Sequence, residues 1–361
     1  MKKIILFFIS ISIYHLMYAQ EINKDTVDKI HRSVISIDTH NDSEKYLLSS
    51  QGEGGGSSGK KHQVTFKKMK EGGLDAAFFA CFLSQKSNDK RSLDSVYNYC
   101  KKEIKSFIKY VNNHSDEAEI AYCPKDLERI KKSGKSAVVL AIENGYGISD
   151  DINHIDEFFD MGVRSITLCH NLNNLICDAS MEKNTNTNSG GLTPFGKKVV
   201  ARMNELGMII DVSHAASSTL MDVLKCSKSP IIATHSGVWA IKNHNRNLKD
   251  EEIKAIASKG GLIQVATGRF FLSTLPKNQV NIKTLVNHID YVKNLVGIEH
   301  VGIGTDFDGG GGVVGLEDCS KMKLITEEML RRGYTQEELR LFWGGNVMRV
   351  WQRILDNASD K

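Results

Sequence analysis

Eight short apolar runs, spread along the chain and separated by helical stretches, constrain this 361-residue sequence more than any other feature. They are SVISIDTH (33–40), LDAAFFACFL (74–83), SAVVLAIE (136–143), VRSITLCH (163–170), GMIIDVSH (207–214), PIIATH (230–235), GLIQVAT (261–267) and HVGIGTD (300–306). Runs this continuously apolar suit strands buried on both faces, as in parallel sheets. The segments between them read as helices. TPFGKKVVARMNELG has Thr193 placed as an N-cap, Pro194 in the first turn and Gly207 as the stop. DINHIDEFFDMG has apolar residues at helical spacing and a terminal glycine, and TQEELRLFWGGNVMRVWQRIL opens with Thr335 and Glu338 at capping-box spacing. Eight strands alternating with helices predict a single-domain (β/α)8 TIM-type barrel, with an open doubly wound sheet as the alternative, since alternation alone does not close a sheet.

Two stretches read as loops, SSQGEGGGSSGKK (49–61) after the first strand and NLNNLICDASMEKNTNTNSGG (171–191) after the fourth. Both belong on the C-terminal face of a barrel, where such enzymes place their sites.

The first residues, MKKIILFFISISIYHLMYAQ, put two lysines before an apolar stretch that ends at the small Ala19. The expectation is a signal peptide over 1–19, export to the periplasm or the medium, and a barrel domain over 20–361. The stretch is short for a membrane anchor and is interrupted by His15, so no stable anchor is predicted. Loss of Lys2 and Lys3 brings the formal charge from +4 to about +2, which does not suit a nucleic-acid binder. The cysteines Cys81, Cys100, Cys123, Cys169, Cys177, Cys226 and Cys319 are odd in number, scattered and without a C-x-x-C, so no disulfide is assigned.

The chemistry is carried by the ends of the runs. The first ends in Asp38, His40 and Asp42, the third in Glu143, the fourth in His170, the fifth in His214, the sixth in His235 and the eighth in Asp306. In a parallel barrel these ends converge on one face. Burying so many polar groups unpaired costs about 1–3 kcal/mol each, and a bound metal offsets that cost. His40 and Asp42 are two apart, so on an extended chain they face the same side and can chelate one ion. His214 and His235 can hold a second, and the two oxygens of Glu143 can bridge. Imidazole and carboxylate ligands suit Zn²⁺ or a similar divalent ion, and two such ions polarise a carbonyl and hold a hydroxide between them. Asp38 reads equally as an orienter of that centre or as a strand-end hydrogen bond to backbone.

Together these stretches resemble the membrane (renal) dipeptidase family, metallopeptidase family M19. The resemblance is carried by DTHND, AIENG, LCHN, GLTPFGKKVVARMNELGMIIDVSH, ATHS, NRNLKDEEI and VGIGTDFDG, in family order from residue 38 to 309. It implies an amidohydrolase-like (β/α)8 barrel with two Zn²⁺ per subunit and hydrolysis of dipeptides with broad side-chain tolerance, including a D-residue at the C-terminal position. By motif, His40 and Asp42 fall on the ligands of one zinc, Glu143 on the bridging carboxylate, and His214 and His235 on the ligands of the other. His170 falls on the histidine that stabilises the oxyanion, Arg246 on the arginine that binds substrate, and Asp306 on the acid that moves protons. Asp308 is read as a turn residue. Family members are often homodimers, although no separate dimerisation element is visible here. After HND this chain reads SEKYLLSSQGEGGGSSG where the family commonly has Leu-Pro and an aromatic. The alternative is another dinuclear amidohydrolase acting on N-acyl amino acids or cyclic amides. Such enzymes usually begin with His-x-His and often bridge their metals with a modified lysine, whereas this chain offers His-x-Asp and a glutamate.

Overall fold

The computed structural model describes residues 23–49, 62–184 and 189–359. The signal peptide expected over 1–19 and the glycine-rich segment 52–59 lie outside them. Among the described residues ten strands form: β1 (Ile37–Asn41), β2 (Ala76–Phe82), β3 (Ala118–Ile120), β4 (Ser136–Glu143), β5 (Val163–Thr167), β6 (Ile209–Asp211), β7 (Ile232–Val238), β8 (Asn247–Leu248), β9 (Leu262–Val265) and β10 (Val301–Ile303). Each of the eight apolar runs supplies one strand of the order β1-β2-β4-β5-β6-β7-β9-β10, and the pairs along it are all parallel. The ends of that order meet. Asn41 bridges Phe307 in parallel, Asp42 N donates to Phe307 O at 2.9 Å, and Asp306 N donates to His40 O at 3.0 Å. The sheet is therefore a barrel rather than an open doubly wound sheet. The short strands β3 and β8 pair outside the ring, on β4 and β7.

Alternation along β2 explains why both faces are apolar. Ala76, Phe78 and Ala80 join an inner cluster with Ile37, Val139 and Ile232, while Ala77, Phe79 and Cys81 belong to the shell between strands and helices. The inner cluster is closed by the helix Asn346–Asp356, which contributes Val347, Val350, Trp351 and Ile354. Phe78 meets Trp351 with ring centroids 6.0 Å apart. Packing thus fills one end of the barrel and leaves the other for chemistry.

The helix signals read from sequence are realised. Thr193 Oγ1 accepts from Gly196 N ahead of Pro194–Leu206, and Gly207 ends that helix in the left-handed region at φ 74°. Thr335 and Glu338 form the reciprocal capping box. The helix that follows passes through a π-helical turn at Leu341–Gly345 before Asn346–Asp356. All seven cysteines are free. Among the described residues no helix is long and apolar enough to cross a membrane.

Candidate metal centre

The strand ends converge as expected. Glu143 closes β4, and its Oε1 lies 3.0 Å from His214 Nε2, 3.4 Å from His235 Nε2 and 3.7 Å from His40 Nε2. His40 Nε2 is 3.8 Å from Asp42 Oδ2, so the two-residue spacing does place both on one side. The rings of His40 and His235 stack with centroids 3.7 Å apart. Asp306 joins His40 and Asp42 in a group whose ligand atoms all lie within 4.8 Å of one another, and Glu143, His214 and His235 form another. His214 and Asp306 sit just past their strands in left-handed backbone, at φ 68° and 60°.

Two imidazoles are fixed in one tautomer by their outer neighbours. Thr234 Oγ1 donates its single proton to Asp211 Oδ2 at 2.6 Å, so at 2.9 Å it accepts from His235 Nδ1. Asn171 Oδ1 lies 3.1 Å from His214 Nδ1 and takes its N–H in the same way. Both Nε2 atoms are then bare lone pairs, and they face each other at 3.0 Å. Two lone pairs at that distance repel unless a cation lies with them.

The ionisation states point the same way. Burial drives the His40 and His214 imidazoles well below the ordinary range, and takes His235 down to about 3. Burial pushes Glu143 up to about 7, and burial reinforced by the Glu143 charge pushes Asp42 far up. Asp306 is raised by burial and by its acidic neighbours Asp42 and Glu143. Neutral imidazoles crowded against carboxylates, with Arg246 and Lys45 only partly offsetting the negative charge, are the donor set of a hard or borderline divalent cation. His40 Nε2 and Asp42 Oδ1 are buried with no hydrogen-bond partner, which is the residue of unmet demand such an ion would satisfy. The backbone leaves room for it. A Cβ on Gly309 would lie 1.9 Å from Asp42 Oδ2 and 2.4 Å from Asp306 Oδ1.

The other residues singled out in the sequence surround this cluster. His170 packs edge-on to Phe82 at 4.9 Å, lies 4.3 Å from the His214 ring, and is held neutral by burial, which lowers it to about 4. Arg246 is 5% exposed, donates from Nη2 to His235 O at 3.2 Å, and leaves Nε without a partner. These groups open onto a cavity of about 490 Å³ that also meets Lys45, Tyr46, Phe82, Met181, Phe270 and Phe271.

Two acids are settled by their partners. Asp38 accepts from Thr305 N at 2.7 Å, Thr305 Oγ1 at 2.6 Å and His40 N at 3.3 Å, so it clasps β1 to the segment after β10. Asp308 lies in the turn expected of it, at φ 62°, but its carboxylate accepts from the distant Ser43 Oγ at 2.5 Å and Gln63 N at 3.1 Å, and it also borders the cavity. Asp211 was not foreseen. It can group with His40 and His235, but Ser213 N, Thr234 N, Thr167 Oγ1 and Thr234 Oγ1 already donate to its two oxygens. Its work is to hold Thr234, and through it the His235 tautomer. An aspartate inside the apolar run GMIIDVSH was the signal available for it.

A parallel barrel with buried imidazoles and carboxylates gathered at the C-terminal ends of its strands is the architecture of metal-dependent hydrolases. The family described as membrane dipeptidase (peptidase family M19) matches residues 24–361, and the chain belongs to it. An uncharacterized dipeptidase of Schizosaccharomyces pombe is 29% identical over 349 residues, covering 92% of this chain and 84% of that protein. Dipeptidase tcpJ of Claviceps purpurea is 30% identical over 303 residues, covering 82% and 71%. Among solved structures, the probable dipeptidase PvdM from Pseudomonas aeruginosa superposes with a TM-score of 0.83 at 28% identity, covering 92% of this chain and 98% of that one. A metallo peptidase from Rhodobacter sphaeroides shares the fold, with a TM-score of 0.77 at 20% identity over 89% of this chain and 99% of that one. The protein is a metal-dependent dipeptidase.

Proposed function

We propose that this chain is an exported zinc dipeptidase that binds two ions at the mouth of its barrel. In this reading His40 and Asp42 would hold one and His214 and His235 the other, with Glu143 within reach of both. The observation that carries it is the pair of tautomer-fixed Nε2 lone pairs on His214 and His235, 3.0 Å apart beside Glu143. When bound, the ions polarise the scissile carbonyl and supply a nucleophile at neutral pH.

The chain's own residues do the rest. Arg246, buried and with an unpartnered Nε, presents a fixed fork to the α-carboxylate of the dipeptide. That requirement for a free carboxylate one residue beyond the scissile bond directs cleavage to the C-terminal peptide bond, which in a dipeptide is the single bond present. Asp306, at the same mouth, takes a proton from the nucleophile and returns it to the leaving amine. A carboxyl whose burial raises its affinity for a proton suits that double task. His170 is held neutral, so its N–H can donate to the oxygen on which negative charge develops. The resemblance to the membrane dipeptidase family implies tolerance of a D-residue at the C-terminal position, and we include such dipeptides among the substrates.

The test is metal analysis together with turnover. The mature protein, loaded with zinc, is offered L-L and L-D dipeptides, tripeptides and N-acyl amino acids. Two zinc per chain and chelator-sensitive turnover of dipeptides alone is the expected result. Turnover confined to N-acyl amino acids would replace this reading with the other amidohydrolase chemistry. Export is tested separately, by fusing residues 1–25 to a reporter that is active only outside the cytoplasm.

A further inference from the structure

The cavity holds a second cation besides Arg246. Lys45, in the helix Glu44–Ser49 that follows β1, lines it half-buried. Its ammonium lies 5.1 Å from the centroid of the Tyr46 ring and 5.2 Å from that of Phe82. Among the described residues it has no ion-pair partner, although the same cavity is bordered by Asp42, Glu143, Asp306 and Asp308. A lysine free to reach water but folded over two rings of a substrate cavity is a charge waiting for an anion.

The barrel order says where that anion must come from. Lys45 and Phe82 stand at the ends of β1 and β2, whereas Arg246 follows β7. On a ring of eight, β7 lies four places from β2 and three from β1, across the mouth from both. A dipeptide anchored by its α-carboxylate on Arg246 extends across the metal centre toward Phe82 and Lys45. Its N-terminal residue arrives there, and with the α-ammonium drawn to the cavity carboxylates Asp42, Asp306 and Asp308, the side chain is the group left to meet Lys45. We infer that Lys45 pairs with a carboxylate on that side chain, so that the preferred substrates are dipeptides with aspartyl or glutamyl N-terminal residues. This rests on the reading of Arg246 as the holder of the α-carboxylate. It assigns a substrate class to the stretch SEKYLL, where the chain departs from the family pattern.

The experiment compares kcat/KM for L-Glu-L-Ala, L-Ala-L-Ala and L-Lys-L-Ala in the zinc-loaded mature protein. The wild type is expected to favour Glu-Ala over Ala-Ala by about tenfold, the size of one charge-assisted contact, and to disfavour Lys-Ala. The difference should sit in KM, because the contact is the same in ground and transition states. Lys45→Met should collapse the Glu-Ala to Ala-Ala ratio toward one. Lys45→Arg should keep it, and Lys45→Glu should turn the preference toward Lys-Ala. A wild-type ratio near one, or a ratio that Lys45→Met and Lys45→Glu leave unmoved, overturns the assignment. Failure of the zinc-loaded wild type to cleave any of the three would instead strike the reading of the site beneath it.

Discussion

Each ligand proposed at the mouth is only as good as the group behind it, and zinc binding as a readout rests on that proposal. Thr234 sits between Asp211 and His235, and its hydroxyl can satisfy both only by donating to Asp211 and accepting from His235 Nδ1. Thr234→Val keeps the shape and removes the hydroxyl. His235 Nδ1–H then loses its acceptor and the ring its fixed tautomer. Zinc affinity should fall about 10–100-fold, measured by competition against a chromophoric chelator, with little change in circular dichroism. Equal affinities in variant and wild type would mean that Thr234 does not set the tautomer. Gly309 tests the space rather than the donors. Its missing Cβ would sit 1.9 Å from Asp42 Oδ2, against backbone that cannot retreat freely because Gly309 N, Gly310 N and Gly311 N all donate to Asp306 O. Gly309→Ala should therefore displace the carboxylates and abolish stoichiometric zinc binding in a protein that still folds. Retention of full zinc content would show that the loop yields.

At the scale of elements, the two ends of the barrel are specialised by what fills them. The helix Asn346–Asp356 packs four large side chains into the end opposite the site, and Trp351 among them is fully buried. Trp351→Ala should cost about 3–5 kcal/mol in urea unfolding, by lost transfer energy and the cavity left behind. Thr193→Ala, at the start of Pro194–Leu206, should cost about 1 kcal/mol, since Thr193 Oγ1 both caps Gly196 N and donates to Leu175 O. That helix was legible in the sequence because its signals are local: threonine, proline and a terminal glycine. The barrel strands were legible because each is an apolar run, and the residues of the cluster because each breaks such a run near its end. β3 and β8 were not, because Ala118–Ile120 and Asn247–Leu248 lie in largely polar sequence, outside the eight apolar runs. Asp211 was passed over because His214 closes the same run more conspicuously, and nothing local reveals that four donors converge on the aspartate. Lys45, Phe82 and Phe271 gave no signal either, because their approach to the cavity depends on ring closure. The alternative left open for Asp38 was decided by the same closure, which delivers Thr305 to its carboxylate.

For the whole molecule, closure of the ring also buries histidines that take no part in the site, and these link stability to pH. His31 is tied at Nδ1 to Thr326 Oγ1, which itself accepts from Trp343 Nε1, and its Nε2 donates to Gly72 O. His288 Nδ1 accepts from Val238 N while Nε2 donates to Leu272 O. Burial lowers both to about 4, with Arg32 and Lys131 adding to the effect at His31. A base whose pKa is lower in the fold than in the unfolded chain takes up a proton on unfolding. Its contribution is therefore intact above about pH 6.5, shrinks as pH falls toward 4, and changes no further below that. Each histidine accounts for on the order of 3 kcal/mol across that window, from about 1.4 kcal/mol per unit of pKa. The imidazoles of the metal centre act with the same sign, so the separation has to come from a variant. His288→Gln removes one titrating group without touching the site. The wild type's stability advantage over it, read from urea midpoints at fixed zinc, should be largest at pH 7 and should narrow by about 3 kcal/mol on going to pH 4. An advantage that stayed constant over that range would show that His288 takes up its proton as readily in the fold as in the unfolded chain.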